Sequence, residues 1–175
     1  MKRSALLALV LTSAWLVGTP PAWARAFGPR GTPAQTELVR ALKHAKVPLQ
    51  QGLAASEREG KPISAKYELE NGQLQLSVYT LKGDQFEEVI VDRQTGQIAR
   101  VEPITAGGDL EAARAERAAM DKAKTSLQAA AEEAARGNKR ARVVSVVPAI
   151  RDGHPVADVT LARGDRFKTV SERLD

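Results

Sequence analysis

The 175-residue chain contains no cysteine, which removes disulfides, thiolate nucleophiles, cysteine metal sites and an acylated cysteine at a processed N-terminus. Aromatic residues make up only 4% of it, so a core has to be built from Leu, Val, Ile and Ala, and few rings are available to stack on bases. No long run of one charge sign occurs. Acidic and basic residues interleave along the chain, and with the scarcity of rings this argues against nucleic acid as a partner. Histidine is limited to His44 and His154, which fall in different elements. A general base needs an orienting partner within hydrogen-bond reach, and no motif supplies one for either, so no catalytic residue and no enzymatic activity are expected. Asp84, Asp92, Asp152 and Asp165 all sit in turns, where Asp is favoured for backbone reasons, and none has calcium-loop spacing. The pairs Glu87–Glu88 and Glu132–Glu133 read as solvated positions, because adjacent strand residues point to opposite faces. No metal site and no cofactor are expected.

Long apolar runs are also missing, apart from one near the start. Lys2 and Arg3 precede an apolar stretch from Ala5 to Gly18, and Ala22-Trp23-Ala24 supplies the small-x-small pattern of a signal-peptidase site. The run is short for a spanning helix and is closed by Gly18, Pro20 and Pro21. Residues 1–24 therefore read as a cleavable signal peptide, with cleavage after Ala24 and no stable membrane insertion afterwards. The expected location is the periplasm, with secretion into the medium also open. Cleavage would remove two bases and no acid from a net charge of +5, leaving +3.

What remains is organised by repetition. The stretch Tyr79–Gly96 reads strand, tight turn, strand, turn, and half of it returns near the C-terminus: Gly83, Asp84 and Phe86 recur 81 residues on as Gly164, Asp165 and Phe167. Val78 and Val89 likewise recur as Val159 and Val170, and Asn71-Gly72 as Asp152-Gly153. Upstream, Leu42, Ala45 and Leu49 match Met120, Ala123 and Leu127 at an offset of 78, a difference assigned to a longer first strand in the second unit. The expected organisation is a flexible leader at residues 25–31, one unit over 32–104 and a second over 109–175.

Within the first unit, Thr32, Pro33 and Gln35 form a capping-box start for a helix ending near Lys46, and a second helix is expected from Leu49 to Arg58. Alternation through Ile63, Ala65, Tyr67 and Leu69, the Asn71-Gly72 turn, and Leu74, Leu76 and Val78 define a hairpin with one apolar face. The Gly83-Asp84 turn then pairs Val78 with Val89 and Leu76 with Val91. Ile98 opens a fourth strand. The same register gathers Tyr79, Leu81, Phe86 and Ile90 on the second face, with Ala99 and Val101 beside them; a patch of this kind marks packing or a partner-binding surface. The second unit's face, with Val147, Val156 and Phe167, is the expected intramolecular cover.

In the second unit Asp109 is expected to cap an Ala-rich helical stretch from Leu110 to Arg136, with a break available at Thr125-Ser126. Pro148, in the strand from Arg142 to Ile150, suggests an edge strand or a bulge. The fold class is α+β: two repeated units, each with helices packed on one face of an antiparallel three- to four-stranded sheet.

The order helix, Gly, strand, Asn-Gly, strand, Gly-Asp, strand and D-x-x-T-G-x-I resembles a PepSY-type domain, best over Leu49–Val101, with Asp92, Thr95, Gly96 and Ile98 matching the closing motif. The second unit lacks that motif and joins the resemblance only through the internal repeat. The resemblance implies a small extracytoplasmic module without catalytic residues, of the kind found in propeptides of secreted metallopeptidases, with a role in restraining peptidases. Tandem helix-plus-sheet units also resemble the architecture of a proteinaceous β-lactamase inhibitor, an analogy of fold and not of site. Two functions follow as expectations. One is an interaction protein binding a peptidase or another envelope protein; the other is a sensing or ligand- or cation-binding module tied to a membrane sensor or transporter.

Overall fold

The computed structural model describes residue 28 and residues 31–175. The expected signal peptide, its cleavage after Ala24 and most of the leader lie outside the described residues. Of the leader, Gly28 and Gly31 donate their amides to the carbonyls of Phe167 and Asp165, at 3.1 and 2.9 Å.

The elements run α1 (Pro33–Leu42), α2 (Leu49–Ser56), β1 (Lys61–Glu70), β2 (Gln73–Lys82), β3 (Gln85–Val91), β4 (Ile98–Pro103), α3 (Gly107–Met120), α4 (Leu127–Gly137), β5 (Arg142–Arg151), β6 (His154–Arg163) and β7 (Arg166–Arg173). Thr32 caps α1 as its sequence requires: its hydroxyl accepts from the Gln35 amide and the Gln35 side chain accepts from the Thr32 amide. Both helices of the first unit stop short of the ends their sequence suggests, α1 at Leu42 and α2 at Ser56. The Ala-rich stretch is two helices, because the Ser126 hydroxyl accepts from the Ala129 amide and starts α4 afresh. The N-cap of α3 is Ala106, so Asp109 sits in the first turn with its side chain turned to another partner.

The hairpins follow turn chemistry. Asn71 and Gly72 hold φ of 51° and 77°, as a type I′ turn demands, and Asp152 and Gly153 repeat this at 50° and 83°. The register is the expected one: Tyr67 faces Leu76, Leu69 faces Leu74, Val78 faces Val89 and Leu76 faces Val91. The pairs of Ala65 with Val78 and of Val78 with Val89 recur in the second unit as Val146 with Val159 and Val159 with Val170. A bulge at Pro62/Ser64 recurs at Val143/Ser145.

The repeat suggests two separate sheets; there is one. Seven strands form a continuous antiparallel sheet in the order β4-β3-β2-β1-β5-β6-β7. The join is β1 to β5, where Ala65 stands opposite Val146, its own counterpart in the repeat, so a local two-fold axis passes between them. Pro148 is therefore in a central strand and not at an edge. It is tolerated because the β1–β5 ladder covers only Ala65 with Val146 and Lys66 with Ser145, leaving no bond to β1 at Pro148 for its missing N–H to break. The change of offset from 78 to 81 is also relocated: β1 and β5 have 10 residues each, whereas α2 has 8 and α4 has 11.

The core lies between α2, α4 and one face of the sheet, with Leu49, Leu53, Leu76, Val78, Val89, Val146, Val159 and Leu161 fully buried. Packing is close enough that a Cβ on Gly52 of α2 would lie 2.6 Å from Leu76 Cδ2. The two units also clamp one another. Arg142, which opens β5, donates to the carbonyls of Leu42, Ala45 and Val47 at the end of α1 and beyond it, at 2.9, 2.8 and 2.7 Å. Its counterpart Lys61, which opens β1, reaches the carbonyl of Met120 at the end of α3, at 3.3 Å. In each case a cation meets the negative end of the other unit's first helix.

The D-x-x-T-G turn holds the loop ahead of α2. Asp92 Oδ1 accepts from the Gln94 and Thr95 amides, both at 2.8 Å, and from the Thr95 hydroxyl at 3.0 Å. These bonds hold its carboxyl below the usual carboxylate range. Gly96 adopts φ +76°, and the Arg93 carbonyl accepts from Lys46 and Val47. The second unit lacks the motif yet keeps this anchor: the buried Leu174 offers its carbonyl to Lys124 and Thr125. Gly96→Ala is expected to cost about 1–2 kcal/mol through the left-handed backbone. Chemical denaturation checks it, and an unchanged midpoint would contradict the turn geometry.

Candidate functional site

The face opposite α2 is where the sequence places Tyr79, Leu81, Phe86 and Ile90. Ser64, Tyr79 and Glu88 stand in register across β1, β2 and β3, so they share one face, and Val78, next in the chain to Tyr79, points to the other with Leu76 and α2. The helices do not all lie on one face. The Tyr79 hydroxyl donates to Asp109 Oδ1 at 3.1 Å, and the Ser64 hydroxyl donates to Glu116 Oε2 at 2.7 Å, which places α3 over this second face.

Tyr79, Phe86 and Ile90 are 6%, 7% and 9% exposed, and Leu81 is half-buried. They do not form an open patch. Asp109 and Leu110 of α3 lie over Tyr79 and beside Phe86; the second unit's sheet face is not the cover, since it continues edge to edge with the first and leaves Val147 exposed. Ala99 and Val101 also fall differently from expectation. A register shift between Ile90 and Val91 leaves Ala99 with no residue opposite and sets Val101 against Val89, on the α2 side. Because α2 packs on β1, β2, β3 and β5 and not on β4, Val101 remains 37% exposed at the sheet's edge.

Between the β3–β4 border and α3 lies a cleft of about 550 Å³, with Phe86, Pro103, Ile104 and Leu110 as its apolar lining and Arg114 and Arg117 on its helical wall. Arg117 is tied to Asp84 at the hairpin tip at 3.1 Å. The cleft opens beside the last strand of the sheet, and β4 pairs with β3 alone.

Under the middle of α3 the surroundings are polar and buried. Glu116 and Ser64 are 8% and 6% exposed, so no substrate reaches them. Burial pushes the Glu116 carboxyl up to about 7; the Ser64 hydrogen bond and the Lys66 ammonium pull it down, and Asp109 adds to the rise. Burial likewise raises the Tyr79 phenol far above its ordinary range, with Glu88 and Asp109 contributing, and it raises the Glu88 carboxyl against a hydrogen bond from Ser77. Lys66 lies over the Tyr79 ring at 5.2 Å and pairs with Glu68 at 3.0 Å. Sequence reasoning missed Ser64, Asp109 and Glu116 as members of a site. The available signal was Glu116 itself, an acid inside the stripe that Ala113 and Met120 define as buried.

The two histidines are apart. His44 is exposed, and its carbonyl accepts from the Gln94 side chain. His154 does have an acid beside it: its Nδ1 is 2.7 Å from Asp175 Oδ2 and 2.9 Å from Arg173 Nη2, on an exposed rim. Arg173 first, and His154 second, hold the Asp175 carboxyl far below the usual range. This is an ion cluster that closes the sheet's corner. Among the described residues, no group of three or more acids and histidines is placed to hold a metal ion, and no helix is long and apolar enough to cross a membrane. Comparison with family models, with curated proteins and with solved structures returns no match.

Proposed function

We propose that the chain is a non-catalytic, PepSY-like envelope protein that binds and restrains a peptidase or another envelope protein through the β4 edge and the adjoining cleft. The observation that carries this reading is the outer border of β4: the strand ends the sheet, residues 99–103 are exposed, and the Phe86–Leu110 cleft lies at its end. An extended segment of a partner can add to such an edge, taking affinity from main-chain hydrogen bonds and specificity from a side chain seated in the cleft. Arg100 and Glu102, paired at 2.8 Å, and Pro103 keep the edge from pairing indiscriminately with other strands. Support from the D-x-x-T-G motif and the helix-plus-sheet order is by resemblance.

The test uses the protein without residues 1–24, immobilised and exposed to envelope extract. A specific protein should be retained, and if it is a peptidase its hydrolysis rate should fall on addition of this protein. Val101→Lys with Arg114→Glu changes two exposed side chains, so capture should drop at least tenfold while the melting temperature stays within about 2 °C. Retention unaffected by the double substitution places the interface elsewhere.

A further inference from the structure

Four features of α3 bear on its hold on the sheet. It is the helix that links the two units, it lies across the sheet from α2, it begins at Ala106 with no side-chain cap, and its central contact is a buried acid against a buried serine. We propose that α3 is a proton-controlled cover: it is held on the second face while Glu116 is neutral, and ionisation of Glu116 loosens it, widening the cleft and uncovering Tyr79 and Phe86. This rests on the reading that the cleft beside β4 is the binding site, since α3 supplies the cleft's helical wall.

Placement carries the proposal. A neutral Glu116 can accept from Ser64 and needs no counter-ion, whereas a carboxylate at 8% exposure has lost its water. The groups facing it do not make up that loss. From α3 itself comes Asp109, a like charge; from β1 come Lys66 and, through Lys66, Glu68; from β2 comes Tyr79; from β3 comes Glu88. On this face β5 presents Ser145 opposite Lys66 and Val147 opposite Asp158 of β6, and that aspartate is held by Arg151. Lys66 is therefore the cation within influence of Glu116, and Glu68 already engages it.

The sign follows. With α3 seated, Glu116 keeps its proton up to about pH 7; with α3 lifted, the side chain returns toward its ordinary value of 4.5. The seated form thus binds the proton more tightly. Its advantage is complete below the lower value and falls as pH rises toward 7, then levels off.

Hydrogen exchange followed by mass spectrometry on the purified protein tests this, with rates corrected for the intrinsic pH dependence of exchange. Protection of the α3 amides should fall about tenfold per pH unit between pH 5 and pH 7 and then flatten, while α4 and β1 to β3 keep theirs. Glu116→Gln should hold α3 protection at its low-pH level throughout. Lys66→Met, which removes the cation that favours the ionised form in the seated state, should leave the onset of the fall in place and extend it to higher pH. Protection of α3 that does not change with pH in the wild-type protein overturns the proposal even if no variant folds, and so does a Glu116→Gln protein that retains the wild-type profile. Failure of the binding reading looks different: the α3 profile appears as expected, and no envelope protein is captured at any pH.

Discussion

Replacing Arg142 with methionine is expected to lower the unfolding free energy by about 3 kcal/mol, whereas the same change at its counterpart Lys61 should cost about 1 kcal/mol or less. The guanidinium donates to three main-chain carbonyls and, at 3.3 Å, meets the Tyr67 hydroxyl, with its centre 5.2 Å from the Tyr67 ring. Those carbonyls belong to the end of α1 and the loop into α2, beyond the regular helical ladder. Removing the donor leaves the Ala45 carbonyl without this bond in a half-buried site and withdraws the cation from all three, although the Leu42 carbonyl still accepts from the Ala45 amide and the Val47 carbonyl from the Tyr67 hydroxyl. Lys61 makes one bond to one carbonyl. Arg142→Lys should recover little, because one ammonium does not span three acceptors that a planar fork reaches together. Urea denaturation distinguishes the cases, and equal losses at the two positions would contradict the asymmetry of the clamps.

The second large effect is at Leu76, fully buried at the centre of β2 and in contact with α2 at Gly52. Leu76→Ala is expected to cost about 3–4 kcal/mol, the transfer of the lost atoms plus the cavity left behind. Gly52→Ala alone should cost about 1–2 kcal/mol: the helix favours alanine, but the new methyl would sit 2.6 Å from Leu76 Cδ2 and force that side chain aside. Combined, the two changes should destabilise by at least about 1 kcal/mol less than their sum, since the new methyl occupies part of the cavity. Additive losses in the cycle would mean that the two residues do not share the space between α2 and the sheet.

Local chemistry is what the sequence makes legible. Asn71-Gly72, Gly83-Asp84 and Asp152-Gly153 each admit few backbone conformations, and once a two-residue turn is placed, every pair along its strands follows, down to Leu81 with Phe86. The fourth strand is legible too, but its register is not, because the shift at Ile90/Val91 has no side-chain signature. The join between the units is also hidden. β1 and β5 pair across 81 residues through only two opposed positions, and nothing in either strand marks which neighbour it will take. Pro148 even points the other way.

The candidate site shows the same division. Turn geometry puts Tyr79, Leu81, Phe86 and Ile90 on one face, but what covers that face depends on where α3 lands, and α3 is a modest amphipath of Ala, Arg and Glu that fits several surfaces. Its landing place is set by a few specific contacts: Asp109 to Tyr79, Glu116 to Ser64 and Arg117 to Asp84. These are long-range polar pairs, and periodicity does not register them.

The most direct test of the proposed function works before the partner has been identified. A photo-crosslinking residue, p-benzoylphenylalanine, is introduced in living cells either at Val101 on the β4 edge or at Ile150 near the end of β5, positions that are 37% and 40% exposed and so comparably open to solvent. Illumination should give a discrete adduct with an envelope protein from position 101 and none from position 150. Adducts from position 150 alone, or none from position 101 under conditions in which the protein is exported and folded, would contradict binding at the β4 edge.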